Sequence, residues 1–121
     1  MSKHVLIVDD SLAMRRMITF TLESGGFTVT QGCNGAEALT LLAEHVPDLI
    51  IADVNMPVMD GITFVVNARQ LPGIKTIPIL MLTTENLKSK VSAGREAGAT
   101  GWMVKPFRPE RLLEVVGRIL S

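Results

Sequence analysis

The segment Leu49-Ile50-Ile51-Ala52-Asp53-Val54-Asn55-Met56-Pro57-Val58-Met59-Asp60-Gly61 decides how the chain folds. Its first four residues are apolar without alternation, which is how a strand covered on both faces reads. An acid closes the run, and a turn containing Pro57 follows. Asp60 then supplies a helix start ahead of an apolar stripe at Ile62, Val65 and Val66, with Arg69 beyond it. Strand, turn and helix together make one unit.

That unit recurs on both sides. Val5–Val8, Phe27–Thr30, Ile79–Leu82 and Gly101–Val104 are the other short runs. Helical spacing appears at Met14, Met17, Ile18 and Leu22, then at Ala38, Leu39, Leu42, Ala43 and Val46. It returns weakly at Leu87, Val91 and Gly94, and clearly at Leu112, Val115, Val116 and Ile119. Ser11, Asn34 and Asn86 stand as helix starts, and Pro109 falls in the first turn of the last helix. Gly25-Gly26, Pro72-Gly73 and Gly98 punctuate the ends. Parallel strands need crossover helices, and those helices cover both faces of the sheet. The expected architecture is α/β: a (βα)5, doubly wound, five-stranded parallel sheet, forming one domain over residues 1–121 with no second domain.

Composition narrows the class. Hydrophobic residues make up 47% of 121, with 10 Gly and 6 Pro, so the chain can bury a core and is not disordered. No apolar run exceeds the four residues of Ile79–Leu82, far short of the ~20 that span a bilayer. The N-terminus runs straight into the first strand, so no secretory leader is expected. Cys33 is the single cysteine, which excludes an internal disulfide and a multi-cysteine zinc site. A reduced, cytoplasmic setting is expected. Residues 1–87 hold 5 basic and 9 acidic side chains and residues 88–121 hold 7 and 3, balances of −4 and +4. That split argues against a uniform nucleic-acid surface and allows a local basic face near the C-terminus.

The chemistry lies where the strands end, since open parallel sheets bind ligands beyond the carboxyl ends of their strands. Asp9 and Asp10 follow the first strand, Asp53 the third, Thr83 and Thr84 the fourth, and Lys105-Pro106 the fifth. Singly, each of these is an ordinary turn or surface residue. Together they put three carboxylates, a hydroxyl and an ammonium on one rim. Clustered carboxylates raise one another's pKa unless a cation compensates. A hard divalent ion such as Mg²⁺ suits one or two carboxylates plus waters plus a phosphate oxygen. Lys105 can pair with a carboxylate or a phosphoryl oxygen, and the Thr83 hydroxyl can donate to another. This set of groups suits phosphoryl transfer, where positioning and charge neutralisation do most of the work.

On these residues the chain resembles the receiver domains of two-component signalling, and among them the stand-alone, CheY-like response regulators. The resemblance runs from about Lys3 to Leu120. It is carried by Val8-Asp9-Asp10-Ser11, the segment from Asp53 to Gly61, Met81-Leu82-Thr83-Thr84, Glu96-Ala97-Gly98-Ala99 and Lys105-Pro106-Phe107, in that order. It implies a flavodoxin-like receiver fold. It also implies that Asp53 is the phosphoacceptor for a histidine kinase, with Thr83 and Lys105 contacting the phosphoryl group. Mg²⁺ would be held by Asp10, Asp53 and the backbone carbonyl of Asn55, with Asp9 acting mainly through water. The Lys105-Pro106 bond would be cis. Catalysis would be limited to the chain's own phosphorylation and self-dephosphorylation, so it would not be an enzyme acting on other substrates. In such domains an aromatic residue on the fifth strand turns inward on activation. That position here is Trp102, which is bulkier than the commoner tyrosine and lacks its hydroxyl. Asn55 and Glu85 match positions that tune self-dephosphorylation and imply a short-lived phosphoryl group.

The same resemblance implies two protein-binding surfaces. Met14, Arg15, Arg16 and Met17 on the first helix match the face that docks a histidine kinase or phosphotransfer protein. Lys88, Lys90, Arg95, Trp102, Arg108 and Arg111 match the output face, with Arg118 beside them. The implied function is a single-domain response regulator, a phosphorylation-dependent binding switch, with a chemotaxis output ranked first. A phosphorelay shuttle or phosphate sink ranks next. A small Mg²⁺-dependent phosphohydrolase working through an aspartyl-phosphate ranks lower, because Asp53-Val54-Asn55 lacks the second acid of an Asp-x-Asp pair. A nucleotide or flavin carrier is disfavoured, because Asp9-Asp10 stands where a Gly-rich loop would be needed. A monomer that binds neither nucleic acid nor membrane is expected.

Overall fold

The strands are β1 (His4–Val8), β2 (Thr28–Gly32), β3 (Leu49–Asp53), β4 (Ile79–Thr83) and β5 (Gly101–Val104). They alternate with α1 (Leu12–Ser24), α2 (Gly35–Glu44), α3 (Gly61–Ala68), α4 (Lys88–Ala97) and α5 (Pro109–Ile119). The computed structural model describes residues 2–84 and 88–121. The expected helix start at Asn86, the stripe position Leu87 and the lifetime position Glu85 lie outside the described residues. Every ladder is parallel, and the spatial order is β2-β1-β3-β4-β5.

The unalternating strands are explained by two cores. Successive strand residues point to opposite faces. Leu6, Val8, Ile50, Ala52, Ile79 and Met81 pack with Ala38 and Leu42 of α2 and with Phe64, Val65 and Ala68 of α3. Val5, Ile7, Leu49, Ile51, Leu80 and Leu82 pack with Ile18 and Leu22 of α1 and with Leu112 and Val116 of α5. Both faces are apolar because both are covered. Three helices start on the side-chain caps expected of them. Ser11 Oγ accepts from Met14 N–H at 3.2 Å, Asn34 Oδ1 from Glu37 N–H at 2.8 Å and Asp60 Oδ1 from Thr63 N–H at 2.9 Å.

Several boundaries and one helix face differ from expectation. β2 begins at Thr28 rather than Phe27 and runs on to Gly32. Phe27 N–H instead donates to the Leu22 carbonyl, closing α1, while Gln31 and Gly32 continue the ladder opposite Ile7 and Val8. α2 stops at Glu44, and His45 is already extended two residues before Pro47. Ala43 and Val46 are therefore exposed rather than part of the buried stripe. In α3 the buried face is Gly61, Phe64, Val65 and Ala68, and Val66 is exposed. Asp53 and Thr83 are the last residues of their strands rather than the first residues beyond. Among the described residues, no helix is long and apolar enough to cross a membrane.

Candidate functional site

The order of strands places β1 beside β3, and β3 beside β4, so their carboxyl ends form one rim. Asp9, Asp10 and Asp53 each offer a carboxylate oxygen, and these lie within 4.8 Å of one another. Asp9 and Asp53 are buried, whereas Asp10 is exposed. Lys105 closes the group from the β5 side. Its Nζ lies 3.2 Å from Asp9 Oδ2 and 3.3 Å from Asp53 Oδ2. The lysine side chain is only 12% exposed and that of Asp53 only 9%, so these ion pairs are sheltered from solvent screening.

Backbone bonds hold each contributor. Asp9 N–H donates to Gly32 O at 3.2 Å, and Asp9 Oδ1 accepts from Ser11 N–H at 2.9 Å. Arg15 Nη1 donates to the Asp9 carbonyl at 2.7 Å. Val54 N–H donates to Leu82 O at 2.9 Å, locking the end of β3 to β4. Lys105 N–H donates to Thr83 O at 2.7 Å, and the Lys105-Pro106 bond is cis. Thr83 is buried at the end of β4, between the strand ends that carry Asp53 and Lys105.

Charge decides how this pit behaves. Burial holds the Asp53 carboxyl above its ordinary range. Lys105 pulls it down, Asp9 pushes it up, and the Asn55 backbone N–H bonded to it lowers it. Three acids against one ammonium leave an excess of negative charge among oxygen donors. That is the donor chemistry a hard divalent ion fits.

The structure thus brings together Asp9, Asp10, Asp53, Thr83 and Lys105. Asn55 is exposed just beyond them. Trp102 is half-buried against the α2–α3 core, to which Ala97 and Ala99 also pack. Its indole Nε1 is buried and has no hydrogen-bond partner among the described residues. On α1, Met14 and Met17 are half-buried against the α1–α5 core and Arg15 is tied to Asp9 and to Gln31 Oε1, so Arg16 is the exposed member of that set. Phe20, one turn further, is 76% exposed. On the expected output face, Lys88, Lys90 and Arg95 lie in α4, and Arg108 is the residue before α5. Arg111 and Arg118 both pair with Glu114, Arg118 at 2.6 Å. An open groove of about 500 Å³ is lined by Trp102, Met103, Val104, Pro106, Phe107, Arg108 and Arg111.

Three contributors carried no role in the sequence reading. Gly61 is one: a Cβ there would stand 2.2 Å from the Asp53 carbonyl oxygen and 2.8 Å from Val54 Cα. Its N–H donates to Val54 O at 2.7 Å, so α3 starts hard against the end of β3. A glycine right after a helix cap and behind an acid-bearing turn was the available signal. Arg69 is the second. Its guanidinium donates to Ile74 O and Ile77 O, both at 2.6 Å, and to Gly98 O at 2.7 Å, tying the α3–β4 connection to the end of α4. Val58, with φ 71°, is the third.

A family model described as the response regulator receiver domain matches residues 5–117, and the chain belongs to that family. Chemotaxis protein CheY of Bacillus subtilis is 38% identical over 122 residues, covering all of both chains. Chemotaxis protein CheY-3 of Vibrio cholerae is 37% identical over 118 residues, 97% of this chain and 91% of that one. Among solved structures, chemotaxis protein CheY4 of Vibrio cholerae superposes with a TM-score of 0.96 at 47% identity, covering 99% of this chain and all of the other. The chain is a CheY-like receiver domain of two-component signalling, with the flavodoxin-like sheet expected from its motifs.

Proposed function

We propose that Asp53 accepts a phosphoryl group from a phosphohistidine on a kinase or phosphotransfer protein, and that phosphorylation switches binding to a protein target. The observation that carries this reading is the buried Asp53 carboxylate, bridged by Lys105 at 3.3 Å and grouped with Asp9 and Asp10 within 4.8 Å. In the transfer, an Asp53 oxygen bonds to phosphorus as the P–N bond to the donor imidazole breaks, and that electron pair returns to the ring. Attack of water on phosphorus later frees inorganic phosphate and restores the carboxylate. A Mg²⁺ ion held by Asp10, Asp53 and the Asn55 carbonyl, with Asp9 through water, would supply the positive charge that the acids and the incoming phosphoryl call for.

The chain's own groups do the rest. Lys105 is placed to shift from the carboxylate it now meets to a phosphoryl oxygen. Thr83 offers a hydroxyl to another. The added charge of about −1.5 to −2 recruits both, and they link the site to β4 and β5. The groove beside Trp102, Phe107 and Arg108 is the output face in this reading, and it suits a partner with acidic and apolar side chains. Asn55 and Glu85 set the phosphoryl lifetime. Full-length similarity to chemotaxis proteins supports a chemotactic output for a monomer working in the cytoplasm.

The test is Mg²⁺-dependent labelling by phosphoramidate. Wild type should label and then lose the phosphoryl group quickly for a receiver, and Asp53→Asn should not label. Equal labelling of the two removes Asp53 from its role. Rapid turnover of free phosphate esters by wild type would instead favour the phosphohydrolase.

A further inference from the structure

The resemblance to receivers puts Arg15 on the face of α1 that docks a partner, yet its guanidinium reaches the acid rim instead. Nη1 donates to the Asp9 carbonyl at 2.7 Å, and Nε donates to Gln31 Oε1 at 3.2 Å. A guanidinium is a planar fork whose donors are fixed relative to one another. One rigid group therefore joins the residue just past β1 to the edge strand β2. A hydrogen bond from a charged donor is also stronger than a neutral one, so the Asp9 carbonyl is firmly held.

Both backbone groups of Asp9 are tied to β2 in this way. Its N–H donates to Gly32 O at 3.2 Å, and its carbonyl reaches Gln31 through Arg15. The Asp9 carboxylate has supports of its own, the Ser11 N–H at 2.9 Å and Lys105 Nζ at 3.2 Å. Asp10 is placed differently. It is exposed, so its carboxylate is aimed by the backbone that carries it rather than by neighbours packed around it. The Asp9 carbonyl belongs to the peptide plane that leads into Asp10, and a peptide unit turns as one rigid body. Holding that carbonyl fixes the direction in which Asp10 leaves the strand. The charge of Arg15 has the opposite consequence, since a cation beside the acids weakens their pull on another cation. The two effects differ in sign and can be told apart.

We propose that Arg15 is a positioning residue: braced by Gln31 of β2, it fixes the Asp9–Asp10 peptide and thereby sets the affinity of the acid cluster for Mg²⁺. The proposal rests on the reading of these acids as the Mg²⁺ site of a phosphoacceptor. It gives the end of β2, which carries no acid of the cluster, a part in the chemistry.

Arg15→Met, Arg15→Lys, Gln31→Ala and the double variant Arg15→Met/Gln31→Ala test it. Each is compared with wild type by calorimetric titration with MgCl₂ and by phosphoramidate labelling over a range of Mg²⁺. Arg15→Met should bind Mg²⁺ about tenfold more weakly, as when a hydrogen bond that orients a metal ligand is removed. The Mg²⁺ needed for half-maximal labelling should rise by the same factor, while labelling at saturating Mg²⁺ stays within about twofold of wild type. Gln31→Ala alters an exposed, uncharged side chain and should weaken Mg²⁺ binding about threefold. The double variant should be no weaker than Arg15→Met, because both changes break one bridge. Arg15→Lys keeps the charge but loses the fork, and should not restore wild-type affinity. Tighter or unchanged Mg²⁺ binding by Arg15→Met overturns the proposal and leaves Arg15 as a competing charge. So does full recovery in Arg15→Lys, an unaffected Gln31→Ala, additive losses in the double variant, or a loss confined to the melting temperature. A wild-type chain that binds no Mg²⁺ overturns it as well. A wild-type chain that binds Mg²⁺ but is not labelled by phosphoramidate overturns the phosphoacceptor reading alone, since calorimetry still reports what Arg15 does.

Discussion

Replacing Lys105 by methionine keeps the length of its stem and removes its charge. The ammonium lies 3.2 Å from Asp9 Oδ2 and 3.3 Å from Asp53 Oδ2, while the two acids offer oxygens within 4.8 Å of each other. At an effective dielectric of about 20, each lysine contact is worth about 5 kcal/mol of attraction, and the Asp9–Asp53 repulsion is about 3.5 kcal/mol. Desolvation of the three groups offsets much of this sum. Breaking such a buried pair by deleting one partner costs about 3–5 kcal/mol, because the remaining charges face each other unpaired. Urea denaturation of Lys105→Met in chelator should show that loss as a lower midpoint at unchanged slope. Asp53→Asn should act in the opposite direction. Burial, helped by Asp9, holds the Asp53 carboxyl above the ordinary aspartate value of 3.8. The folded state therefore binds that proton more tightly than the unfolded state. Stability falls as pH rises from 3.8 through the raised value, and at neutral pH the ionised carboxylate is a burden on the fold. Asp53→Asn should be the more stable protein at neutral pH in chelator, and its advantage should fade toward the acid end. Millimolar Mg²⁺ should favour wild type instead, by about 2.7 kcal/mol at a hundredfold excess over Kd, since the variant lacks one ligand. Destabilisation by both substitutions, or a ranking that ignores chelator, would refute this charge balance.

Gly61→Ala should slow phosphoramidate labelling about a hundredfold, because its Cβ can fit only by displacing the Asp53 carbonyl, now 2.2 Å away, and ångström-scale shifts cost that much. Circular dichroism should still show a folded chain, less stable by about 1–3 kcal/mol. Arg69→Met should cost about 3 kcal/mol in urea denaturation, since it leaves the carbonyls of Ile74, Ile77 and Gly98 without their charged donor. Burial and His45, whose ring centroid is 5.2 Å away, hold the His4 pKa below 6.5 against the pull of Asp48. His4 therefore contributes stability above pH 6.5 that is lost as pH falls through its folded value, and a His4→Gln melting profile should be flatter across that window.

What could be read from the residues was whatever topology settles, and what could not was whatever depends on local backbone angles. Leu49–Ala52 and Ile79–Leu82 reveal a sheet covered on both sides, because no single-faced strand would be apolar at every position. Once the strands are parallel, their carboxyl ends must share a rim. Asp9, Asp53, Thr83 and Lys105 are then neighbours whether a strand ends at Ala52 or Asp53. A one-residue error in a boundary leaves the site intact for that reason. The helix faces were less legible. Val66 is as apolar as Val65, and only the contact of α3 with the sheet decides that Phe64 and Ala68 join Val65 inside. Phe27 has the side chain of a strand residue, yet its N–H closes α1. Arg69 looks like any surface arginine after a stripe, because its three carbonyl partners lie further along its own connection and in the one after α4. Val58 is the extreme case. Nothing in a valine announces a positive φ, and composition favours burying it. Its exposure and strain emerge only when the turn from Pro57 to Met59 is closed between the end of β3 and the start of α3. The residues of the strand-end cluster are legible because their chemistry is unusual where it stands. Arg69 and Val58 look ordinary in sequence and become conspicuous only through the geometry imposed on them.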